Sequence, residues 1–180
     1  PEHVIGLLVV VFLTHIIGGM AAFGSALLSV ALIVMIWGGD ELGLAVSLLA
    51  LCGLCQALII AWMMRRHLLR QELLAVALWA LPGLVAGHCL APLLPEQGIR
   101  LLLGVLLCLG GLLHWLPLPK VFAWRPVAAA TTTTGGIVHG AFATGGALLI
   151  PLLRERIAER DAFRATMAST WVVLNCGLVA

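Results

Sequence analysis

Apolar residues run along this chain in stretches too long and too uniform for alternating strands or for helices with one wet face. Residues 4–39 contain no Asp, Glu, Lys or Arg. As one helix they would extend about 54 Å at 1.5 Å per residue. That is too long for one crossing of a hydrocarbon core of roughly 30 Å, and short for two complete crossings. Residues 42–64 form a clean apolar span, and Arg65, Arg66, His67 and Arg70 close it. Residues 73–94 form a second span, with Pro82 inside it and Pro92 and Pro95 at its end, and residues 99–116 form a third. A Pro-rich connector, 117–126, carries Lys120 and Arg125. Residues 127–153 are again uncharged, a charged loop follows from Arg154, and residues 164–180 open another span.

The two long uncharged segments share a glycine-rich interruption. The first is Gly18-Gly19-Met20-Ala21-Ala22-Phe23-Gly24-Ser25, and the second is His139-Gly140-Ala141-Phe142-Ala143-Thr144-Gly145-Gly146. In lipid, non-helical backbone survives only where protein or a water-filled cavity covers it. Breaks in corresponding places of two repeats point to a transporter's binding site.

Charge gives the topology. Lys and Arg concentrate in cytoplasmic loops, so the loop with Arg65, Arg66 and Arg70 is expected inside. The loops with Asp40 and Glu41, and with Glu96, are expected outside. Lys120 and Arg125 return inside, as do Arg154, Arg156, Arg160 and Arg164. Both ends of 127–153 therefore lie on one side, and the segment is expected to enter the membrane, turn at its glycines and come back. By analogy 4–39 does the same from the outer face.

An offset of 121 residues lays Gly19 on Gly140, Gly24 on Gly145, Ala26-Leu27-Leu28 on Ala147-Leu148-Leu149, Asp40 on Asp161 and Cys55 on Cys176. Three single spans separate the copies, and an odd number of crossings inverts the second. The fold class expected is all-α: a polytopic membrane helical bundle with inverted-topology repeats and re-entrant helix hairpins. Residues 1–120 form the first repeat, with a hairpin at 4–39 and spans 42–64, 73–94 and 99–116. Residues 121–180 form a truncated second repeat, with a hairpin at 127–153 and a span at 164–180.

Composition agrees. Of the 180 residues 62% are hydrophobic and 10% charged, and the mean hydropathy is +1.14. Soluble domains carry about 25% charge, so the solvent here is lipid. A net charge of +2 is too small to suggest nucleic acid. Cys52, Cys55, Cys89, Cys108 and Cys176 all lie in apolar segments. The Cys52–Cys55 pair has redox or metal spacing, but it lies mid-span without a nearby His or carboxylate and reads as packing. The chain does not begin with Met and stops in an apolar run at Ala180, so it is expected to be a piece of a longer protein.

Candidate chemistry follows from the breaks. Gly24-Ser25 and Thr144-Gly145-Gly146 each precede an apolar helical run. Helix N-termini offer free amides and about half a positive charge, so two facing ends would make an anion site. Glycine admits close backbone approach, and the hydroxyls of Ser25 and Thr144 could cap or donate. The substrate-binding candidates are Gly19, Gly24, Ser25, Gln56, Gly140, Thr144, Gly145, Gly146 and Asn175. The competing reading is that the glycines only let helices pack closely. Gln56 and Asn175 occupy nearly corresponding places in the two copies; an amide in lipid needs a partner, either ligand or neighbouring helix. His139 and His15 lie beside the breaks and are candidates for proton coupling, the alternative being hydrogen-bonded structural histidines. Arg164 is a candidate anion contact at the cytoplasmic mouth or an interfacial residue that sets orientation. Thr131 to Thr134 read as threonines bonding back to their own helix. His88 and His114 read as packing or interfacial residues.

No Asp, Glu or Lys lies in the uncharged spans, which argues against a cation carrier built on buried carboxylates and against an intramembrane aspartyl protease. No hydrolase or nucleotide-binding motif is present. No cofactor and no metal is expected. The partners expected are a small anionic substrate and the lipid bilayer, with no nucleic acid, and self-association into a homo-oligomer is left open.

Residues 136–146 through Pro151-Leu152-Leu153, then Asp161-Ala162-Phe163-Arg164-Ala165-Thr166 and Asn175, resemble the second-repeat signature of the sulfite exporter (TauE/SafE) family of bacterial membrane proteins. The segment from Gly18 to Leu28 resembles the first-repeat signature less closely, with Phe23-Gly24-Ser25 in place of a glycine cluster and Val30 where a proline is common. The resemblance implies a multi-pass protein of the bacterial inner membrane that exports sulfite, sulfonates or related organic anions. Transport by alternating access, driven by an ion gradient, is the expected function. A non-transporting membrane subunit and a metal-dependent membrane enzyme are the alternatives from other classes.

Overall fold

A computed structural model describes residues 2–21, 25–38, 42–115 and 124–179, with side chains for all of these except 2–4, 17–21, 25, 42, 107, 114 and 115. Every regular element among the described residues is helical. The α-helices are α1 (Glu2–Ala21), α2 (Ser25–Trp37), α3 (Leu42–Met63), α4 (Arg70–Leu90), α5 (Glu96–Trp115), α6 (Arg125–Phe142), α7 (Gly146–Arg156) and α8 (Arg160–Val179). Short 3-10 turns at Arg65–His67 and Ala91–Leu93 flank α4. Gly43–Met63, Arg70–Leu93 and Glu96–Leu113 are each long and apolar enough to cross a membrane. Ile59, Leu74, Leu78 and Leu101 on these helices are more than 60% exposed, a surface that lipid rather than water would solvate. Pro82 does not break α4, which runs through it.

Two helical hairpins stand out. In the first, α1 and α2 run antiparallel. Gly6 lies under Trp37, where a Cβ would come within 2.7 Å of the indole, and Thr14 Oγ1 hydrogen-bonds to Ser29 Oγ. In the second, α7 returns along α6, with Gly135 against Leu149. α1 ends at Ala21 and α2 begins at Ser25; α6 ends at Phe142 and α7 begins at Gly146. Both boundaries repeat at the same offset of 121 residues that aligns the sequence with itself.

The second hairpin is seated on α4 through bare backbone. Gly83 and Gly87 of α4 and Gly136 and Gly140 of α6 form two facing Gly-x-x-x-Gly pairs. A Cβ on Gly83 would strike the Thr133 carbonyl, one on Gly87 the Ile137 carbonyl, one on Gly136 the Ala80 carbonyl, and one on Gly140 the Leu84 carbonyl. Small residues permit such close approach between membrane helices, with Cα–H donors facing carbonyl oxygens. The pairing 80 with 136 and 84 with 140 makes α4 and α6 parallel. α7 therefore runs back toward the start of α4, where Arg156 forms an ion pair with Glu72 at 3.2 Å.

α8 closes the bundle against α3 and α4, with Asn175 beside Gly53 and Leu84 beside Gly177. The Leu69 amide donates to Thr166 Oγ1 at 3.2 Å. The first turn of α8 is capped by Glu159, whose carboxylate accepts from the amides of Asp161 at 2.9 Å and Ala162 at 2.6 Å. Those two bonds hold Glu159 below the usual carboxylate range. Arg65, Arg66, Arg70, Arg154, Arg156 and Arg160 thus gather at one end of α4. At its other end the close of α2 meets the start of α5, where Gly38 faces Glu96.

Two apolar clusters fill the interior. One joins α1, α2, α3 and α5 around Leu7, Val30, Ile33 and Leu103, and the tip of α6 enters it through the fully buried Phe142. The other joins α4, α7 and α8 around Val76, Leu149, Leu153 and Leu174. Placing a side chain between α4 and α6 should be costly. Gly87→Val is expected to destabilise the detergent-purified protein by about 1–3 kcal/mol or more. Gly104→Val, with nothing within 4 Å of its Cβ position, should stay within about 0.5 kcal/mol. Thermal unfolding of both variants checks this.

Candidate functional site

The break between α6 and α7 is built by an alanine and stabilised by space. Ala143 adopts the left-handed conformation, at φ 55°, and its amide donates to the His139 carbonyl at 2.7 Å. Left-handed backbone costs a non-glycine residue about 1–2 kcal/mol, and such residues persist where the surroundings dictate them. The sequence suggested that glycine would supply the unusual backbone. Gly145 instead has ordinary helical dihedrals. It needs to be glycine because a Cβ would come 2.5 Å from the Gly135 carbonyl and 2.8 Å from His139 Cβ. The Gly145 carbonyl accepts the amides of Leu148 and Leu149. The amides of Gly146 and Ala147 precede these first intrahelical bonds.

A cavity of about 220 Å³ opens against this break. It has several times the roughly 30 Å³ that a water occupies in the liquid. The starts of both short helices line it: Ala26 and Leu27 from α2, Gly146 and Ala147 from α7. α1 contributes His15, α3 contributes Gly53 and Gln56, and α8 contributes Arg164, Trp171 and Asn175. Apolar walls come from Leu49, Ile60, Ile150, Phe163 and Met167. Among the described residues no carboxylate lines the cavity, while Arg164 brings a positive charge.

Inside the cavity the polar groups form a chain. The Gly145 amide donates to His139 Nδ1 at 3.4 Å, and His139 Nε2 lies 3.2 Å from Asn175 Oδ1. Trp171 stacks on the His139 ring with centroids 5.4 Å apart and planes 23° apart. His139 is 2% exposed and Asn175 5%. Thr144 is 3% exposed, and its Oγ1 has no hydrogen-bond partner among the described residues. It does not cap α7.

Of the residues singled out in the sequence, Gln56, Thr144, Gly146, Asn175, His139, His15 and Arg164 line this one cavity. Gly140 faces α4 and Gly145 is enclosed by α6; neither lines it. Gly19 lies in α1 and Ser25 starts α2, with the surroundings of both outside the described set, and Gly24 lies outside the described residues, as does Asp40. Thr132 and Thr134 bond back to Ala128 and Ala130 on their own helix. His88 is exposed, and the side chain of His114 is outside the described set.

Trp171, Phe163, Met167 and Gly53 were missed. A signal existed for the first three: Phe163, Met167, Trp171 and Asn175 recur at four-residue intervals, which puts them on one face of α8. His67, Glu159 and Asp161 also come together, their ligand atoms within 4.8 Å of one another, with His67 and Glu159 exposed and Asp161 half-buried.

Comparison with known proteins adds the family. The model of the family described as Sulfite exporter TauE/SafE matches residues 7–180. No curated protein and no solved structure matches the chain.

The chain of bonds at the break makes a stability prediction. Asn175→Ala removes the partner of His139 Nε2 and leaves a buried ring nitrogen unsatisfied, which costs about 1–3 kcal/mol. Ser169→Ala removes a hydroxyl that bonds only to Ala165 on its own helix and should cost less than about 0.5 kcal/mol. Thermal melts of the two variants test the difference.

Proposed function

This chain belongs to the sulfite exporter TauE/SafE family, and we propose that it exports sulfite, a sulfonate or a related small organic anion from the bacterial cell. In this reading it is a multi-pass protein of the inner membrane. The cavity against the α6–α7 break binds the anion, and alternating access driven by an ion gradient exposes it to each side in turn. The observation that carries the reading is Thr144. A buried hydroxyl without a partner costs about 1–3 kcal/mol, and this one borders the cavity next to the open amides of Gly146 and Ala147. An oxyanion placed there would accept from the hydroxyl and from the amides, at the positive end of the α7 dipole. The positive charge of Arg164 and the absence of a carboxylate among the described lining residues favour the same sign of ligand.

The common offset of the two hairpin boundaries supports an inverted repeat, with α1–α2 re-entrant from one face and α6–α7 from the other. The gathering of six arginines at the start of α4 supports placing that end in the cytoplasm. Apolar walls at Ile150, Phe163 and Trp171 would accommodate the carbon part of an organic anion.

Two measurements test the reading. Thr144→Val keeps the shape and removes the hydroxyl. It is expected to leave thermal stability unchanged or raised, while weakening sulfite or methanesulfonate binding at least tenfold, about 1.4 kcal/mol. A variant that binds and transports like the parent would remove the anion site from this break. For topology, Arg66→Cys and Gln97→Cys in a cysteine-free background should label from opposite faces of sealed vesicles, Gln97→Cys from outside. Labelling of both from one face would overturn the orientation.

A further inference from the structure

The two histidines of the cavity hold their ring nitrogens differently, and the difference assigns them separate roles. A backbone amide only donates, so His139 Nδ1 must be the acceptor of the Gly145 N–H at 3.4 Å. The proton of the neutral ring then sits on Nε2, which donates to Asn175 Oδ1 at 3.2 Å. This fixes the Asn175 amide with its Nδ2 donors toward Gly53, whose Cβ position lies 3.2 Å from Nδ2, on the wall of the cavity. Both ring nitrogens are committed, and Trp171 holds the ring plane. A second proton, on Nδ1, would set one N–H against another and break the bond to Gly145 at the helix break.

His15 is the opposite case. Its Nδ1 lies 2.8 Å from the Val11 carbonyl. A carbonyl only accepts, so Nδ1 carries the proton and Nε2 of the neutral ring is bare. Protonation at Nε2 breaks no hydrogen bond among the described residues. His15 is half-buried and borders two spaces at once: the polar cavity and an apolar groove of about 780 Å³ between α1 and α3. The titratable or charged groups that share these spaces are Cys52 and Cys55 from α3, His139 from α6 and Arg164 from α8. α2, packed along α1, carries none. Among the described residues no carboxylate lines either space, so protonation of His15 adds positive charge that a bound anion would offset.

We infer that His15 Nε2 takes up and releases the proton that accompanies anion binding, and that His139 is a neutral positioning residue that ties the helix break and aims the Asn175 amide. The inference rests on the proposed anion site. A proton from water adds to His15 Nε2 as the anion enters and leaves when the anion leaves, with no covalent change.

Methanesulfonate, whose charge stays constant across this range, is the probe for the full chain in detergent and in proteoliposomes. Between about pH 5.5 and about pH 7.5, which bracket the imidazole range, parental binding should weaken about tenfold. His15→Gln should bind with the same affinity at both values. His139→Gln should bind more weakly throughout yet keep the tenfold slope. A His15→Gln protein that retains the parental slope, or a His139→Gln protein that loses it, overturns the assignment. A second measurement needs no ligand. In histidine-labelled parental protein with the rings neutral, the His15 nitrogens should show the shifts of the Nδ1–H tautomer and the His139 nitrogens those of the Nε2–H tautomer. The opposite tautomer on either ring overturns the inference. A parental protein that binds no sulfite and no methanesulfonate, yet shows these two tautomers, removes the anion site and leaves the two ring assignments standing.

Discussion

The contact of backbone on backbone between α4 and α6 is the constraint on which the rest of the structure depends. Four glycines remove the side chains that would separate the helices, and carbonyls of one helix then lie where Cβ atoms of the other would be. Such an interface has no slack, because a methyl group is already too large. Once α6 is seated in this register, His139 and the left-handed Ala143 are carried past Leu84, and Phe142 is delivered into the cluster of α1, α2, α3 and α5. The return of α7 to Glu72 follows from the same register. An opened backbone in lipid must be covered by protein or by a cavity. Here the interlocked helices cover one side and the cavity faces the other.

Much of this was legible in the sequence. The uncharged runs and their basic punctuation mark the long apolar helices, and the paired glycine breaks mark where the short helices begin, because lipid enforces those patterns directly on composition. What the sequence left undivided was the work of individual glycines. Gly140 and Gly145 carry the same motif letters as Gly146, yet one admits α4, one admits the backbone of α6, and one lines the cavity. That division depends on which face of a helix meets which neighbour, and local sequence holds no record of it. The left-handed residue was hidden for a similar reason. Ala143 has no propensity for that conformation; it is buried, and its amide closes on the His139 carbonyl one turn back. Trp171 was overlooked because a tryptophan in an apolar run is ordinary, although its spacing from Arg164 and Asn175 recorded its face.

The polar groups of the interior divide by whether they are satisfied. Thr132, Ser169 and Thr170 bond back to carbonyls of their own helices, as the exposed Thr134 does; this makes them compatible with lipid depth and leaves no hydroxyl proton for an anion. Thr14 bonds back to the carbonyls of Val10 and Val11 and also meets the Ser29 hydroxyl across the hairpin. Thr144 alone among the buried hydroxyls described is unpaired, and it is the one that sits at a helix start beside a cavity. Polar residues scattered through apolar spans thus have two different meanings, and hydrogen-bond bookkeeping separates them where composition does not.

The two hairpins are also held unequally. α6–α7 is clamped to α4 by backbone contacts and pinned at its end by the Arg156–Glu72 pair. α1–α2 is joined internally by a side-chain hydrogen bond and by Trp37 over Gly6, and it meets its neighbours through the aliphatic side chains of one cluster. Interfaces of interdigitated side chains can shift by changes of rotamer, whereas a glycine–carbonyl contact can only separate. Any exchange of access between the two faces of the cavity would therefore cost least if α4, α6 and α7 stay together and the α1–α2 hairpin, with His15 on it, moves against them. The bonding of His15 fits that arrangement. Its only protein hydrogen bond described is to Val11 on its own helix, so in such an exchange the ring would travel with α1, while His139 would stay tied to Gly145 at the α6–α7 break.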